Sequence, residues 1–589
     1  MCGIIGYAGG GNAAEVIYEG LKRLEYRGYD SAGAAILSDG GISVVKRMGR
    51  VEKLEPDLKS MYGNIGIGHT RWATHGKPSD SNAHPHSAGA VSIVHNGIIE
   101  NYAEIKAALE SRGETFFSET DSEAAARLLN GNFKGDILSA LKKTVEMLEG
   151  SYALLAIYEG GGSIAVAKRK SPVIIGFGDG ENFCASDEPA LAGKCPYVCS
   201  LEDGDFAVIT KSEVKIYDWR LTPVERKKRI NTAVSASLDL GGYPHYMIKE
   251  INEVPASIKN TVAAFYDVER ELKAALCGAD RVILTGCGTA YHAGLVGKRY
   301  FESFARVPAE VENAGEFRYK NPVVTKGTVV FAISQSGETA DTIEAAQLAV
   351  SCGAKVVAVT NAPHSALTRC SDVVVPVAAG PEICVAATKS YTGQIAALYL
   401  SALAFAGQTD GGETAGRLAH MPELCRQIID NINIDAVAQM CARANGVYFL
   451  GRDLDYAVAR EGSLKLKEVS YVPGEGYPAG ELKHGTLALI DKNTVSIFLI
   501  CDEALAGKCE NAVEQVLSRG GKASVVTCLD SVEERLSCRV RVVKLPPCDK
   551  FLTPLITSVV VQQLAYRTAV LLGRDPDKPR NLAKSVTVE

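Results

Sequence analysis

The chain has 589 residues, of which 46% are hydrophobic and 22% are charged, and its formal net charge is -6. This length is too great for a single hydrophobic core, so we expect two to four domains of an ordinary globular protein. The acidic balance argues against a protein that binds nucleic acids or anionic membranes.

The N-terminus and the cysteines indicate location and cofactor use. MCGIIGYAGG has no basic region and no signal-length apolar run, and no stretch approaches the roughly 20 apolar residues of a membrane span. The 16 cysteines are scattered, without a CxxC pair or a Cys/His metal spacing. We therefore expect reduced thiols in a cytoplasmic protein that uses neither a metal nor a cofactor.

Cys2 stands directly after the initiator Met1, and the apolar pair Ile4–Ile5 places it at the end of a strand. It is either a small buried thiol or, once Met1 is removed, a nucleophile whose own α-amine acts as the base. An α-amine with a pKa of about 8 and a thiol with a pKa of about 8.5 can exchange a proton near neutral pH. Position alone leaves both interpretations open.

Three later stretches carry polar groups that suit such a nucleophile. Residues 65–76 read as a strand running into a donor-rich loop, where Arg71 could hold a carboxylate through two parallel hydrogen bonds. Residues 90–97 read as a strand ending in a turn, where Asn96 and Gly97 could form either an oxyanion hole or a plain turn. Asp121 precedes the helical run 122–129 and could cap that helix or bind a substrate ammonium.

Together these segments resemble the class-II glutamine amidotransferase domain, an N-terminal-nucleophile hydrolase. The matching pieces are MCGIIGY, LEYRGYDSAG, GHTRWATHG, HNGIIENY and TDSE. The resemblance implies that Cys2 attacks the glutamine side-chain amide and that Asn96 and Gly97 stabilise the oxyanion. It also implies a set of glutamine-binding residues, one of which (the tryptophan) gates two active sites: Arg71, Trp72, Thr74, His75 and Asp121.

A linker is predicted after this domain. The charge run Glu225–Arg229 is typical of a solvated surface, and Gly241–Pro244 breaks regular structure before order resumes at His245–Ile251.

A strand-to-helix turn rich in hydroxyl groups follows further along the chain. The apolar run Val329–Ile333 predicts a buried strand, and Ala340–Val350 has the apolar spacing of a helix. The turn between them, Ser334–Thr339, offers hydroxyl donors beside the unpaired first N–H groups of the helix, and Gly337 permits close backbone approach. It is either a phosphate cradle or an ordinary helix start capped by Ser or Thr.

The C-terminal two thirds contain an internal repeat. Arg281–Gly286 resembles Gly446–Gly451 at a shift of 165 positions, and Thr328–Ile333 resembles Thr494–Leu499 at a shift of 166. Two such copies predict two doubly wound α/β domains. The second copy has Ile500–Glu503 at the turn, and its acid pair would repel phosphate, so we expect one phosphate site per chain.

A series of charged residues in the second copy can be either structural or catalytic. Glu461, Lys465 and Glu468 are spaced by 4 and 3, which puts them on one helix face as either a surface ion-pair ladder or a catalytic group. His484 lies in a glycine-flanked loop, where a lone histidine is usually unremarkable. The terminal segment Asp575–Glu589 has the composition of a frayed end.

The duplicated half, with CGT, SQSGET and ATK in its first copy, looks like paired sugar-isomerase (SIS) domains. With SYVPGEGYPAGELKHG and PRNLAKSVTVE, the whole chain resembles the glutamine:fructose-6-phosphate aminotransferase (isomerizing) family, the glucosamine-6-phosphate synthases. The resemblance implies an α/β multidomain fold, an N-terminal-nucleophile (αββα) hydrolase domain followed by two doubly wound parallel-sheet SIS domains. The expected segments are the glutaminase domain, a linker with a lead-in helix, the first and second SIS domains and a catalytic tail: 1–220, 221–269, 270–410, 435–573 and 574–589.

The resemblance further implies two reactions joined by ammonia. Ammonia released at Cys2 would have to reach fructose 6-phosphate through a dry passage, because water would protonate it. Lys584 would form a Schiff base with the sugar ketone, and His484 would open the ring. Glu468, assisted by Lys465, would move a proton between the first two sugar carbons. The implied sugar-phosphate contacts are Thr289, Ser334, Gln335, Ser336, Thr339, Val385, Thr388 and Ala583. Three positions depart from the family pattern: Ala290, Ala387 and Thr486.

Two rival functions remain open. One is a glutamine-dependent amidotransferase that acts on another keto-sugar phosphate, and the other is a non-catalytic sugar-phosphate sensor, since SIS domains also serve as regulatory modules. The presence of Cys2, Glu468, His484 and Lys584 argues against a sensor. The expected partners are L-glutamine, fructose 6-phosphate and a second copy of the chain that contributes His484 across the interface.

Overall fold

The computed structural model describes residues 2–232, 239–409 and 413–587. Residue 1, part of the predicted linker (233–238), the end of the predicted first SIS domain with the residues after it (410–412) and the end of the predicted tail (588–589) lie outside the described residues. The chain forms two compact units, Met1–Asp239 with Ala583–Glu589, and Leu240–Leu582. The finer domain limits stay a prediction.

The first unit contains two antiparallel sheets. Its strands are β1 (Gly3–Ala8), β2 (Ser31–Ser38), β3 (Gly41–Met48), β4 (Ile65–Arg71), β5 (His86–Ala88), β6 (Val91–Ile99), β7 (Gly150–Tyr158), β8 (Ile164–Arg169), β9 (Ile174–Phe177), β10 (Asn182–Ala185), β11 (Tyr197–Ser200), β12 (Phe206–Ile209), β13 (Val214–Tyr217) and β14 (Arg229–Ile230). One sheet has the order β14-β11-β9-β10-β1-β4-β2-β3 and the other β13-β12-β8-β7-β6-β5.

Helices cover the outer faces of both sheets. They are α1 (Ala13–Leu24), α2 (Glu55–Leu58), α3 (Tyr102–Glu110), α4 (Asp121–Asn132) and α5 (Ile137–Val145). Successive residues of a strand point to opposite faces, so Ile4 joins the core between the sheets while Ile5 packs against α1. A third core lies between the smaller sheet and α3 to α5. The result is the predicted αββα sandwich, with Cys2 at the start of a central strand.

The second unit contains two parallel sheets. Their strands are β15 (Arg281–Gly286), β16 (Ala309–Asn313), β17 (Thr328–Ser334), β18 (Lys355–Thr360), β19 (Val373–Pro376), β20 (Gly446–Gly451), β21 (Gly474–Pro478), β22 (Thr494–Leu499), β23 (Lys522–Thr527) and β24 (Arg541–Lys544). The orders are β16-β15-β17-β18-β19 and β21-β20-β22-β23-β24, which is one topology used twice.

The helices of this unit repeat in the same way. They are α6 (Tyr246–Asn252), α7 (Val254–Leu276), α8 (Thr289–Tyr300), α9 (Ala314–Tyr319), α10 (Ala340–Ser351), α11 (Ala366–Arg369), α12 (Lys389–Phe405), α13 (Glu413–Leu418), α14 (Met421–Asn431), α15 (Asp435–Ala442), α16 (Leu454–Ser470), α17 (Glu503–Leu517), α18 (Asp530–Leu536) and α19 (Thr553–Leu571). Gly288 and Asp453, which precede α8 and α16, share the backbone angles φ 54° and ψ -122°. The predicted duplication is therefore confirmed down to one unusual backbone conformation.

The two repeats share a continuous apolar core. One cluster of buried side chains includes Val282 and Phe331 of the first sheet and Val447 and Ile497 of the second. Helices α12 and α19 are buried nearly all round, which is why their apolar residues follow no single face. Among the described residues, no helix is long and apolar enough to span a bilayer.

Four histidines are buried together in the first unit. They are His69 on β4, His84 and His86 at β5, and His95 on β6, all at most 4% exposed. The rings of His69 and His84 stack with centroids 3.9 Å apart, and His86 meets His84 edge-on at 4.7 Å. Burial lowers the pKa of His69 to about 3, and the pKa values of His84, His86 and His95 are also lowered, chiefly by burial.

Acid should therefore destabilise the first unit. The folded imidazoles bind protons less readily than unfolded ones, so their stabilising effect is complete above pH of about 6.5 and is lost as the pH falls below it. Each histidine should lower the free energy of unfolding by up to about 1.4 kcal/mol per pH unit. Urea unfolding between pH 7.5 and 5 measures this slope. His86→Gln should reduce it, whereas the same change at the exposed His484 of the second unit should not; equal slopes in all three proteins would contradict the explanation.

Candidate active sites

The Cys2 thiol lies at the end of strand β4. The Trp72 N–H donates to Cys2 Sγ at 3.4 Å, and the thiol lies 3.5 Å from the Trp72 carbonyl oxygen. Asn96 Nδ2 donates to the Cys2 carbonyl oxygen at 2.8 Å. Burial raises the pKa of the Cys2 thiol, while the Trp72 N–H and the positive charge of Arg71 act in the opposite direction. Such a thiol needs a neighbouring base in order to react as a thiolate.

Arg71, the last residue of β4, is 3% exposed. Its Nη2 donates to the carbonyl oxygens of His75 and Gly76, the latter at 2.9 Å. Its Nη1 is buried and has no hydrogen-bond partner among the described residues. Burial lowers the pKa of this guanidinium from its ordinary value, while the negative charge of Asp121 acts in the opposite direction. A buried cation with an unused donor suits a ligand carboxylate.

Asn96 and Gly97 lie inside a strand, so the predicted strand end and the plain-turn alternative are both wrong. β6 continues to Ile99, and Gly97 pairs with Tyr152 of β7. Gly97 has φ 143°, and a Cβ at this position would lie 2.0 Å from the Ser151 carbonyl oxygen. Only glycine fits here, because the partner strand occupies the place of a side chain.

Asp121 does not cap its helix, so that alternative is also wrong. The cap of α4 is Thr120, whose hydroxyl accepts the Glu123 N–H at 3.3 Å. Asp121 is 4% exposed, and its Oδ2 accepts the Ile99 N–H at 2.9 Å. Its negative charge acts on the Cys2 thiol, as the charge of Arg71 does with opposite sign.

The remaining predicted glutamine-binding residues lie on the loop after β4. Trp72 touches the Cys2 thiol, as described above. His75 is half-buried and packs edge-on against Tyr102 at 5.1 Å, and Thr74 is exposed. The structure thus brings Trp72 and Asn96 into contact with Cys2. It also places Arg71 and Asp121 where their charges act on the Cys2 thiol.

In the second unit, the hydroxyl-rich turn has the predicted strand before it and the predicted helix after it. The Gly337 N–H donates to Ser334 Oγ at 3.0 Å, and the Glu338 N–H donates to Ser336 Oγ at 3.2 Å. Thr339 Oγ1 lies 3.0 Å from Ser334 Oγ. Thr339 is the N-cap of α10, but its side chain accepts no helix N–H within the described structure, so the capped-start alternative is wrong. The first N–H groups of α10 are therefore available to an anion.

The equivalent turn of the second repeat is closed by its own carboxylate. Asp502 is the N-cap of α17, and its Oδ1 accepts the Ala504 N–H at 2.9 Å. A carboxylate thus occupies the place that an anion would take at the start of a helix. This difference supports the expectation of one phosphate site per chain.

Further predicted sugar contacts lie on the segment that precedes α12 and within the cradle turn. The Val385 N–H donates to the Asp577 carbonyl oxygen at 3.2 Å. The Thr388 N–H donates to Glu382 Oε1 at 3.0 Å, while the Thr388 hydroxyl is buried without a partner among the described residues. Gln335 is half-buried, and its carbonyl oxygen accepts the Asn361 N–H at 3.2 Å.

Two residues of the acid–lysine–acid series on α16 are buried, and the Glu468 side chain is only 20% exposed, so the surface-ladder alternative is wrong. Glu461 is 0% exposed and Lys465 1%. Lys465 Nζ lies 2.6 Å from Glu468 Oε2 and 3.5 Å from Glu461 Oε1. Thr289 Oγ1, on α8 of the first repeat, donates to Glu461 Oε1 at 3.0 Å. Thr289, a predicted sugar contact, therefore also touches α16.

The first part of the terminal segment is anchored through Asp577, so it is not frayed there. The Asp577 carboxylate accepts the N–H groups of Tyr246 and Met247 at the start of α6, each at 2.7 Å. Ala583 and Lys584 follow in the part of the tail that belongs to the first unit, and both are half-buried. His484 lies exposed in the second unit, at the end of a 3-10 turn that begins at Glu481.

Comparison with known proteins places the chain in a family. The SIS domain family matches residues 275–404 and 440–572, and the glutamine amidotransferase domain family matches residues 69–192. A relative from Caldanaerobacter subterraneus subsp. tengcongensis, named glutamine--fructose-6-phosphate aminotransferase [isomerizing], is 46% identical, with 100% of both chains covered. One of the same name from Aquifex aeolicus is 43% identical, again over 100% of both. The chain belongs to the glutamine–fructose-6-phosphate aminotransferase (isomerizing) family.

A solved structure supports the family assignment for the second unit. The C-terminal domain of glucosamine-fructose-6-phosphate aminotransferase from Francisella tularensis is 35% identical, has a TM-score of 0.55, and covers 58% of this chain and 100% of its own. A tagatose-6-phosphate ketose/aldose isomerase from Escherichia coli, at 16% identity and TM-score 0.50, shares the fold alone.

Sequence reasoning missed three residues in this aminotransferase. They are His292, which contacts Glu461, Glu382, which accepts the Thr388 N–H, and Asp577. For His292 a signal existed, because it follows Thr289 by three positions and so shares its helix face. Asp577 accepts an N–H group more than 300 positions earlier in the chain, and Glu382 lies in a segment without regular structure. Neither spacing nor periodicity predicts such contacts.

A glycine substitution should show how tightly the phosphate cradle is built. Gly337 has φ 62°, and a Cβ there would lie 1.9 Å from Ser365 Oγ. Gly353, after α10, has φ 86°, but its Cβ would be in ordinary contact at 3.5 Å with Lys326. Gly353→Ala should cost about 1–2 kcal/mol of unfolding free energy for backbone strain alone. Gly337→Ala should cost about 1–3 kcal/mol more, because a neighbour must also move. Chemical denaturation of both variants measures the difference, and equal losses would contradict the close approach at Gly337.

Proposed function

We propose that this aminotransferase converts fructose 6-phosphate and L-glutamine into glucosamine 6-phosphate and glutamate. The observation that carries the proposal is that one full-length family member holds both kinds of site. One is the Cys2 thiol, which accepts the Trp72 N–H, with Asn96 bonded to the Cys2 carbonyl oxygen. The other is the uncapped start of α10, in the same unit as a largely buried acid–base series.

The first reaction is the hydrolysis of glutamine. After removal of Met1, the α-amine of Cys2 takes the thiol proton, and the thiolate attacks the side-chain amide. Asn96 and Gly97 stabilise the oxyanion, ammonia leaves, and water cleaves the resulting thioester to glutamate. Arg71 and Asp121 provide the buried cation and carboxylate that the glutamine carboxylate and ammonium require. Thr74 and His75 complete the binding of that end, and Trp72 acts as the gate.

The ammonia is used without release to bulk water. Only the neutral form is a nucleophile, and contact with water at neutral pH would protonate most of it. A dry passage therefore has to connect the two reactions.

The second reaction takes place on fructose 6-phosphate. The phosphate binds at the start of α10, where unpaired N–H groups and hydroxyl groups meet the positive end of the helix dipole. The proposed sugar-phosphate contacts are Thr289, Ser334, Gln335, Ser336, Thr339, Val385, Thr388 and Ala583. Lys584 forms a Schiff base with the ketone.

Glu468 then moves a proton between the first two carbons of the sugar. Lys465 assists because it remains a cation: burial lowers its pKa, but Glu468 and Glu461 raise it by more. His484 opens the sugar ring. Its exposure in the second unit supports a homodimer in which it reaches the site of the partner subunit.

We also propose a cytoplasmic location and a role in amino-sugar biosynthesis. All 16 cysteines are free thiols, as a reducing compartment would keep them.

Replacing the nucleophile should separate the two reactions. In Cys2→Ala, formation of glucosamine 6-phosphate from glutamine should fall at least about 1,000-fold, because no thioester can form. Interconversion of fructose 6-phosphate and glucose 6-phosphate should persist. Product analysis by mass spectrometry, with several ketose phosphates offered to the wild-type protein, tests both the reaction and the choice of sugar.

Cys277→Ala, which removes an exposed thiol, is the matched control. Loss of both activities in Cys2→Ala would contradict separate sites, and a wild-type preference for another ketose would contradict the proposed substrate.

Lys584→Arg should abolish covalent capture of the sugar. Borohydride reduces a Schiff base to a stable secondary amine, so wild-type protein incubated with fructose 6-phosphate should gain one sugar mass. Arginine keeps the positive charge but does not form the Schiff base, so the variant should gain none. Lys578→Arg, which changes another lysine of the same tail, should label as the wild type does. Undiminished labelling of Lys584→Arg would refute the proposed role of Lys584.

A further inference from the structure

We propose that His292 is a positioning residue for the isomerisation. It donates a hydrogen bond to one oxygen of Glu461, and the ammonium of Lys465 therefore stays in contact with Glu468. The inference rests on the proposed function, in which Glu468 transfers the proton. His292 belongs to α8 of the first repeat, and the other three residues belong to α16 of the second.

The two oxygens of Glu461 have different partners. Oε1 accepts the Thr289 hydroxyl at 3.0 Å and lies 3.5 Å from Lys465 Nζ. Oε2 lies 2.8 Å from His292 Nδ1, and since a carboxylate oxygen accepts, Nδ1 carries a proton and donates to it. His292 itself is 7% exposed, and Glu461 is fully buried.

A fully buried carboxylate needs a donor on each oxygen, because water does not reach it. If His292 lost its donor, Oε2 would be left unsatisfied. A mobile donor close to the same carboxylate is the ammonium of Lys465, which lies 3.5 Å from Oε1 on a flexible side chain one helical turn away. Lys465 would then shift from Glu468 toward Glu461.

The distances show which carboxylate Lys465 favours in the intact protein. Its Nζ lies 2.6 Å from Glu468 and 3.5 Å from Glu461. A cation in contact with Glu468 stabilises its negative charge and orients the carboxylate, as a proton-transferring group requires. His292 therefore acts on Glu468 through two intervening residues.

The other groups that face this series are a tyrosine and a thiol. Tyr391 of α12 faces Glu461, and Cys384 faces Lys465. Burial raises the pKa of Tyr391 well above its ordinary value, so it is neutral at working pH. Among the described residues, His292 is thus the group from outside α16 that contacts Glu461 Oε2.

His292 also lines a cavity of about 490 Å³ within the second unit. Tyr291, Arg460 and Lys467 share this cavity. Because the cavity is far larger than a free imidazole molecule, a variant that lacks the ring can be supplied with one from solution.

Three substitutions at His292 test the inference. In His292→Leu, kcat for the glutamine-independent isomerisation of fructose 6-phosphate should fall about 10- to 100-fold, as expected when a buried acceptor loses its donor. KM for the sugar phosphate should change less than about threefold, because the phosphate binds elsewhere. In His292→Asn, the amide Nδ2 replaces Nδ1 as a donor, so kcat should return to within about threefold of wild type. In His292→Ala, added imidazole should restore kcat in a saturable manner.

The pH profile gives a readout that a loss of folding would not produce. In His292→Leu the acid limb of kcat should move to higher pH, because a carboxylate that loses its neighbouring cation binds protons more readily. In His292→Asn the limb should stay where it is in the wild type. Hydrolysis of glutamine by the first unit, measured in the same samples, reports whether each variant is intact, and Lys298→Ala on the same helix is the matched control.

The outcomes separate the inference from the function on which it rests. If the wild type does not isomerise fructose 6-phosphate, the proposed function fails first. If the wild type is active but His292→Leu keeps its kcat and its acid limb, the role of His292 is overturned. An equal loss in the Leu and Asn variants, without rescue by imidazole in His292→Ala, would overturn it too, because the donor would then not be what matters.

Discussion

Complete burial of one carboxylate is the constraint on which the second unit depends. A charged Glu461 in a water-free interior would be strongly destabilising without donors, and removal of one partner from such a group typically costs about 3–5 kcal/mol. The donors come from both repeats: Thr289 and His292 from α8, and Lys465 from its own helix. Since neither repeat can satisfy this carboxylate alone, the two are fixed in one relation to each other. That relation also fixes the helix that carries Glu468.

The duplication has produced two copies with different tasks. Both sheets have the same strand order, and α8 and α16 start with the same unusual backbone angles. They differ at the next helix start, where α10 leaves its N–H groups available and α17 is capped by Asp502. A second difference is Asp455, which lies where the first copy has Ala290; burial raises the pKa of Asp455 to about 7, and it accepts the Cys501 N–H at 2.8 Å. A buried acid beside a self-capped helix disfavours an anion, which agrees with the proposal that the second copy contributes α16 with Glu468 and that the first copy binds the phosphate.

Local sequence patterns could predict the strands, the repeat and the cradle. Each of these is determined by residues close together in the chain: an apolar run, a constant shift, or hydroxyl groups before a helix. The failures share a different cause. Whether Asn96 and Gly97 form a turn depends on the Ser151 carbonyl of a neighbouring strand, and whether Asp121 is a cap depends on the Ile99 N–H. The burial of Glu461 likewise depends on a helix that lies more than 150 positions earlier. Spacing can place such residues on a face, but it does not tell what covers that face.

The tail shows how an anchor can serve a distant catalytic residue. Asp577 accepts two N–H groups at the start of α6, and its own carbonyl oxygen accepts the Val385 N–H, so one residue ties the tail to a proposed sugar-binding segment. Lys584 follows seven positions later, and seven residues span at most roughly 25 Å when fully extended. The anchor therefore confines the proposed Schiff-base lysine to a limited volume around the segment that holds Val385. A free chain end would search a much larger volume and would lose more conformational entropy on each encounter with the sugar. Anchoring near the start of the tail thus reduces that entropy loss.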